Sequence, residues 1–357
     1  MDVDLPYKPQ WNTGHEDRAW HVAWNPAKPL LASCSADKTV RLYSYASSSN
    51  EATPGLEFQL ITSIPTGHAK TVRSVAWAPA GQTLATASFD SNIGIWEKEA
   101  DEWECISTLE GHETECKCIA YSASGTLLAS CSRDKTVWIW EVHPDGDFET
   151  ISVLMEHTQD VKFVSWHPIE EILASASYDD TIKLYIEDPS DDWYCFSTLS
   201  GHTSTVWSLA WSPGTSSYLA SSSDDKTVRV WRRVAEHKWE CVLVLGGHDR
   251  SVYSVSWNKA PKSVRKSTPG CLGWLASAGG DGKVLIWELS EPILEDNTSG
   301  NVSLLPPRHK LIASIPSAHG VHDVNSVVWC PREGYEDLLA TTGDDGYTRV
   351  WKIVPTT

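Results

Sequence analysis

No stretch of the 357 residues approaches the roughly 18 consecutive apolar positions that a membrane-spanning helix needs. The opening MDVDLPYKPQ lacks both a basic segment and an apolar core, so it does not have the make-up of a secretory signal, and a cytoplasmic protein is expected. Cations are scarce: 29 Lys and Arg stand against 47 Asp and Glu, a net charge of −18, which argues against general contact with nucleic-acid phosphates. Nine cysteines are an odd number without export, and most, such as Cys34, Cys131 and Cys241, fall within strand patterns. Reduced, buried thiols are therefore expected. Cys116 and Cys118 sit close together in ECKCIAYS, but they lack a second ligand pair at metal spacing, so neither metal nor cofactor is expected.

What the chain does have is repetition. Seven times a His is followed by an Asp, and each Asp precedes an aromatic by six residues. The pairs are His15/Asp37, His68/Asp90, His112/Asp134, His157/Asp179, His202/Asp225, His248/Asp281 and His319/Asp345. They close on Tyr43, Trp96, Trp140, Tyr185, Trp231, Trp287 and Trp351. The first four separations are 22 residues, the fifth 23 and the last two 33 and 26, as expected of a fixed unit with insertions in its loops. Within a unit, GHTSTVWSLAWSP and YLASSSDDKTVRVW alternate apolar and polar residues between turn residues, the pattern of short half-buried strands. A unit of roughly 40–45 residues with four such strands cannot bury its own faces and must stack on neighbours.

These features resemble the WD40 repeat over essentially the whole chain. The resemblance implies an all-β, seven-bladed propeller occupying residues 1–357 as a single domain. It also implies that His, Asp, a strand Ser or Thr and the strand Trp form one hydrogen-bonded network per blade. Seven copies of a Ser-His-Asp set argue for structure over catalysis, because a fully satisfied buried network rigidifies its surroundings while an active site is needed once. No enzymatic activity is expected. Only six residues follow Trp351, whereas residues 3–12 precede the first Gly-His with nothing to pair with. The N-terminal segment is thus expected to supply the outer strand of blade seven, which would remove exposed sheet edges.

Two positions per blade should line the mouth of the ring. The fifth residue after each His reads Trp20, Arg73, Lys117, Lys162, Trp207, Tyr253 and, with one insertion, Asn325. The residue before each Asp reads Ala36, Phe89, Arg133, Tyr178, Asp224, Gly280 and Asp344. Arg73, Lys117, Arg133 and Lys162 fall on consecutive blades, flanked by Trp20, Phe89, Tyr178, Trp207 and Tyr253. Such an arc suits a partner carrying acidic and aromatic groups, since Arg forks carboxylates and Trp and Tyr are frequent interface anchors. The plainer reading is a mixed rim whose cations pair with neighbouring acids. The acids in EKEADEWE, EVHPDGDFE and EDPSDDW, by contrast, belong to connections on the opposite face, where a solvated rim is the simplest expectation.

LEGHETECKCIAYS, SRDKTVWIWEV and EHTQDVKFVSWHP, with the Trp-x-Cys strands DEWECISTLEGH, DDWYCFSTLSGH and HKWECVLVLGGH, are more specific than a generic repeat. They resemble the WD40 subunit of the cytosolic iron–sulfur protein assembly targeting complex. This resemblance implies a non-enzymatic scaffold for delivery of [4Fe-4S] clusters to cytosolic and nuclear apoproteins. Its implied partners are a small reactive-cysteine protein, a HEAT-repeat adaptor, a hydrogenase-like iron–sulfur carrier and the client proteins. It also implies a working role for Arg133 in the SRDK turn. A generic WD40 adaptor, such as a histone-tail reader or a ubiquitin-ligase substrate receptor, stays open as an alternative. The chain departs from the compact pattern at residues 44–63, 259–273 and 288–311, expected as loops; the second carries Lys259, Lys262, Arg265 and Lys266 with no acid.

Overall fold

The computed structural model describes residues 14–47, 55–214, 217–292 and 305–354. Seven antiparallel sheets are arranged as the blades of a propeller, each a meander in which chain order equals spatial order. Blade one runs outward from Ala19–Trp24 through Leu30–Ser35 and Thr39–Ser47 to Leu56–Pro65. The inner strands of the other blades are Val72–Trp77, Cys116–Tyr121, Val161–Trp166, Val206–Trp211, Val252–Asn258 and Val324–Trp329. Blades one to six have four strands each; blade seven has three among the described residues. The expected closing strand falls on residues 3–12, outside the described residues. Where the described chain begins it already lies against blade seven: the His15 N–H donates to the Gly346 carbonyl at 2.8 Å.

The core is divided into sandwiches between blades. One cluster joins Ala32, Val40 and Leu42 of blade one to Val75, Trp77, Leu84 and Trp96 of blade two, and similar clusters recur around the ring. Second strands such as Leu127–Ser132 are buried at every position, which explains their small Ala and Ser residues between two packed layers. At the end of most inner strands a Trp reaches across to the preceding blade. The indole N–H of Trp77 donates to Ala23 O (3.2 Å), Trp166 to Ala120 O (3.1 Å) and Trp211 to Ser165 O (3.2 Å). Trp24 donates to Val328 O at 2.9 Å, bonding blade one to blade seven independently of any outer strand.

All three expected loops contain regular structure; in the third, residues 288–290 pair with residues 308–310. In blade one, Tyr43 and Tyr45 alternate opposite Leu60 and Phe58, so the hairpin extends through Ser47 and resumes at Leu56. Residues 262–267 form a short helix, and its cations meet acids supplied by blade seven, Lys262 with Glu333 and Arg265 with Glu336 (3.8 Å). The sequence context of that insert held no acid because its partners lie far along the chain. Residues 293–304 of the third insert are outside the described residues. Five cysteines, including Cys34, Cys131, Cys116 and Cys118, are buried, but Cys241 is exposed, contrary to expectation. Cys105, Cys195 and Cys241 each pair with a blade aromatic (Trp96, Tyr185, Trp231) immediately before a bulge in the outer strand, whose exposed side carries the thiols of Cys105 and Cys241.

Candidate interaction site at the mouth of the ring

Each His is the centre of a lock that builds the mouth. The His15 Nδ1 meets Asp37 at 3.0 Å and Nε2 meets Ser33 at 2.9 Å. The corresponding Asp distances are 3.0 Å for His68–Asp90, 2.8 Å for His112–Asp134 and 2.7 Å for His157–Asp179. They are 2.7 Å for His202–Asp225, 3.1 Å for His248–Asp281 and 2.7 Å for His319–Asp345. Trp96, Trp140, Trp231 and Trp351 extend the chain by donating their indole N–H to the same Thr or Ser oxygen. Burial pushes these carboxyls up, but donors from the His and from turn N–H groups more than offset it. Asp281 and Asp345 are held down at about 2, and Asp37, Asp134, Asp179 and Asp225 lower still.

The same Asp sets the turn that follows. It accepts the N–H two residues on, as Asp134 does from Thr136 at 2.9 Å on the oxygen that does not face His112, and the residue between adopts positive φ, 74° at Lys135. The residue before the Asp is pinned by its own N–H to the entering strand, as Arg133 is to Glu115 O at 3.0 Å. Its side chain is thereby left standing on the top surface, beside the residue five after the His.

On blades one to five these two positions interlock as cations and rings. Arg73 lies over Trp20 (4.9 Å), Lys117 over Phe89 (4.0 Å), and Lys162 between Tyr178 (5.3 Å) and Trp207 (5.1 Å). Trp207 continues edge-on to Tyr253 at 5.5 Å and donates its indole N–H to Asp224 at 2.6 Å. Arg133 stands outside this chain of contacts, with its side chain 59% exposed and ion-paired to Glu115 at 3.1 Å. Lys162 pairs with Asp160 at 3.1 Å.

The counter-charges come from a third position that the two-column reading omitted, the third residue after each His. It places Glu115 beside Arg133, Asp160 beside Lys162, and Arg18 beside Asp344 at 3.3 Å. The signal was available, because this residue lies two before the mouth position and strand residues two apart share a face. In blade two the position holds Thr71, and Arg73 carries no ion pair among the described residues. Lys117 likewise has none. Burial, with Lys162 and Arg73 nearby, pulls the Lys117 ammonium down to about 8 despite Glu115. Burial also lowers the pKa of Arg73, against a smaller opposing effect of the thiols of Cys34, Cys118 and Cys131.

Opposite these cations, Asp323 and Asp344 of blade seven share a cavity of about 190 Å³ with Trp20, Arg73, Trp207 and Tyr253. Asp344 is occupied by Arg18 and by the Asn325 amide (2.9 Å), and Asp224 by Trp207. Ala36 and Gly280 bring no functional group. No group of three or more His, Cys, Asp or Glu arranged to hold a metal occurs among the described residues.

The WD40 family, described as WD domain, G-beta repeat, matches residues 8–44, 58–97, 103–141, 148–185, 193–232, 239–288 and 309–352. A "Probable cytosolic iron-sulfur protein assembly protein 1" of Cryptococcus neoformans is 40% identical over 95% of this chain and 97% of its own length. "Protein CIA1" of Arabidopsis thaliana is 50% identical over 27% of this chain and 28% of its own. A Mycosarcoma maydis relative with the same name as the first is 46% identical over 27% of this chain and 29% of its own. The seven blades, their His–Asp locks and these likenesses together show that the chain belongs to the WD40 repeat family and, within it, to the cytosolic iron-sulfur protein assembly protein 1 group.

Proposed function

We propose that this protein is a non-enzymatic scaffold of cytosolic iron–sulfur protein assembly, and that its mouth over blades two to four docks acidic segments of partner proteins. The observation that carries the docking reading is the neighbouring pair Arg73 and Lys117, partly withdrawn from water and without an ion pair among the described residues. A desolvated cation that lacks an anion gains when a ligand supplies one. Phe89, Tyr178, Trp20, Trp207 and Tyr253 would cover the apolar part of the same segment, while Arg133 and Lys162 would exchange Glu115 and Asp160 for it at little net cost. The partners proposed are the small reactive-cysteine protein, the HEAT-repeat adaptor, the hydrogenase-like carrier and client apoproteins, brought to high local concentration in the cytosol for delivery of [4Fe-4S] clusters, with nuclear apoproteins among the recipients.

A reader of basic tails is the weaker alternative. Asp224 and Asp344 already have donors, so they offer a cation less than Arg73 and Lys117 offer an anion. The test is tagged purification from cytosol of wild type, Arg133→Glu and Lys117→Gln, with mass spectrometry of what is retained. Retention of iron–sulfur proteins by wild type, with a subset lost from the variants at unchanged thermal stability, is expected. Retention of chromatin or ubiquitin-ligase components in their place would overturn the proposal.

A further inference from the structure

The bottom of the propeller carries a second feature, visible by comparing equivalent positions around the ring. In blades two, four and five the Trp ending the inner strand packs edge-on against a Trp of the outer strand: Trp77 on Trp103 (5.7 Å), Trp166 on Trp193 (5.5 Å) and Trp211 on Trp239 (5.6 Å). The indole N–H of each inner-strand Trp donates to the preceding blade, whereas those of Trp193 and Trp239 have no hydrogen-bond partner among the described residues. Blade three has Tyr121 and Phe148 at these two positions, assigned by register, since Thr150 faces Trp140 as Cys105 faces Trp96. Two indoles are thus replaced by smaller rings, and the Tyr121 hydroxyl is buried with no hydrogen-bond partner among the described residues.

The volume those indoles would fill is open. A cavity of about 260 Å³ lies between blades two and three, lined by Tyr121, Phe148, Val142, Ile106 and Pro79, with Glu97 at its polar end. It is smaller than the pockets that usually hold drug-sized ligands, and of a size for one large side chain. Ile106 is 40% exposed at its edge, so it opens to solvent. Glu97 accepts the Thr83 hydroxyl on one oxygen at 2.6 Å, and its other oxygen has no hydrogen bond among the described residues. Around the opening stand Glu141 and Glu149, with exposed side chains, and the exposed Asp145 and Asp147; His143 lies between the two glutamates.

We propose that this crevice is a second docking site, which receives a tyrosine side chain of a Lys- and Arg-rich segment in a partner protein. An inserted phenol ring packs on Phe148, Ile106 and Pro79. Its hydroxyl donates to Glu97 and accepts from Tyr121, which gives the orphaned donor its partner. The acids at the opening attract the basic flanks. The site is on the face opposite the mouth, so it stands or falls independently of the docking reading above.

The test is fluorescence anisotropy with a fluorescein-labelled peptide bearing one central Tyr between Lys-Arg flanks, against versions with Phe or Ala at the centre. The full-length protein is compared with Tyr121→Phe and with the double variant Tyr121→Trp/Phe148→Trp, which installs the pair present in the neighbouring blades. The Tyr peptide should bind about three- to tenfold tighter than the Phe peptide, the effect of a net hydrogen bond, and the Ala peptide should be weaker again. Tyr121→Phe should erase the preference for Tyr over Phe, and the filled double variant should bind all three peptides equally weakly while keeping its thermal transition. If the double variant fails to fold, Phe148→Trp alone serves, with partial filling and partial loss. Equal binding of the Tyr and Ala peptides, undiminished binding by the filled protein, or no binding at millimolar peptide would each overturn the proposal.

Discussion

His21 makes the ring sensitive to mild acid in a way that can be isolated. It follows Trp20 on the inner strand of blade one, where the other blades have Ser74, Cys118, Phe163, Ser208, Ser254 and Ser326. Its Nδ1 lies 3.1 Å from the Val75 carbonyl of blade two. Burial, together with the Arg73 guanidinium beside it, pushes its pKa down to about 4 from an ordinary 6.5. Folded chains therefore keep His21 neutral in a range where unfolded chains protonate it. Stability from this group is fully present above pH 6.5, falls as pH drops below 6.5, and levels off near pH 4, when the folded form also takes up the proton. Linkage between these two values gives a loss of about 2 kcal/mol at pH 5 and about 3 kcal/mol in full. Urea unfolding of wild type and His21→Asn, followed by tryptophan fluorescence at pH 7.5 and pH 5.0, measures it. His15, His202 and His319 are also lowered by burial and remain in both proteins, so they contribute equally. Wild type should lose about 2 kcal/mol more than the variant between the two pH values. An identical loss in both would refute the reasoning, whatever the variant's stability at neutral pH.

Asp134→Ala removes the acceptor of both His112 and the Thr136 turn; a loss of about 1–3 kcal/mol is expected by chemical denaturation, the scale of a buried unsatisfied polar group. Arg133→Glu, on a half-exposed side chain with a single ion pair, should change the thermal midpoint by less than about 2 °C, while partner retention falls. Because Lys117 titrates near 8, capture of an acidic partner should weaken as pH rises from 7 to 9, and Lys117→Arg should flatten that profile in pull-downs across this range. Deletion of residues 3–12 should lower the thermal midpoint of the whole ring by several degrees in calorimetry, if that segment closes blade seven; an unchanged midpoint would leave closure to the Trp24–Val328 bond and its neighbours.

The architecture was legible in the sequence because seven copies of one spacing over-determine it. The His–Asp separation, the Asp turn and the strand aromatic each recur, so one irregular copy does not hide the rule. The mouth was legible only in part. Two columns of residues gave the cations and rings, whereas the column holding Glu115, Asp160 and Arg18 decides which cations are neutralised, and it was passed over. Cys241 was misjudged because alternation in an outer strand is interrupted by a bulge after the Cys, which the local sequence does not mark. The partners of Lys262 and Arg265 lie about 70 residues downstream, beyond any local pattern. The burial of His21 and Arg73 depends on neighbouring blades in the ring and has no signature in either strand alone.

In a repeat protein the positions that obey the rule carry the fold, and departures at equivalent positions carry the information specific to one chain. Thr71 at the position of Glu115 and Asp160 leaves Arg73 without an ion pair, and Tyr121 and Phe148 in place of paired tryptophans leave a cavity and a hydroxyl without a partner, among the described residues. Neither departure is a local defect that the blade repairs, since the locks on both sides are intact, His68 with Asp90 and His112 with Asp134. Rigid locks are what allow such gaps to persist: a fluid core would collapse into the volume beside Phe148, whereas strands fixed by buried hydrogen bonds hold it open. Both departures fall on blades two and three, one on each face. A partner that grips both faces of this sector would cross its outer strands and reach the exposed Ile106, Ile151 and Val153 on the way. Combining Lys117→Gln with the Tyr121→Trp/Phe148→Trp filling therefore separates two arrangements. A single partner bridging both sites would lose far more affinity in the combination than either change removes alone, through lost effective concentration, whereas two separate partners would each respond to one change and ignore the other.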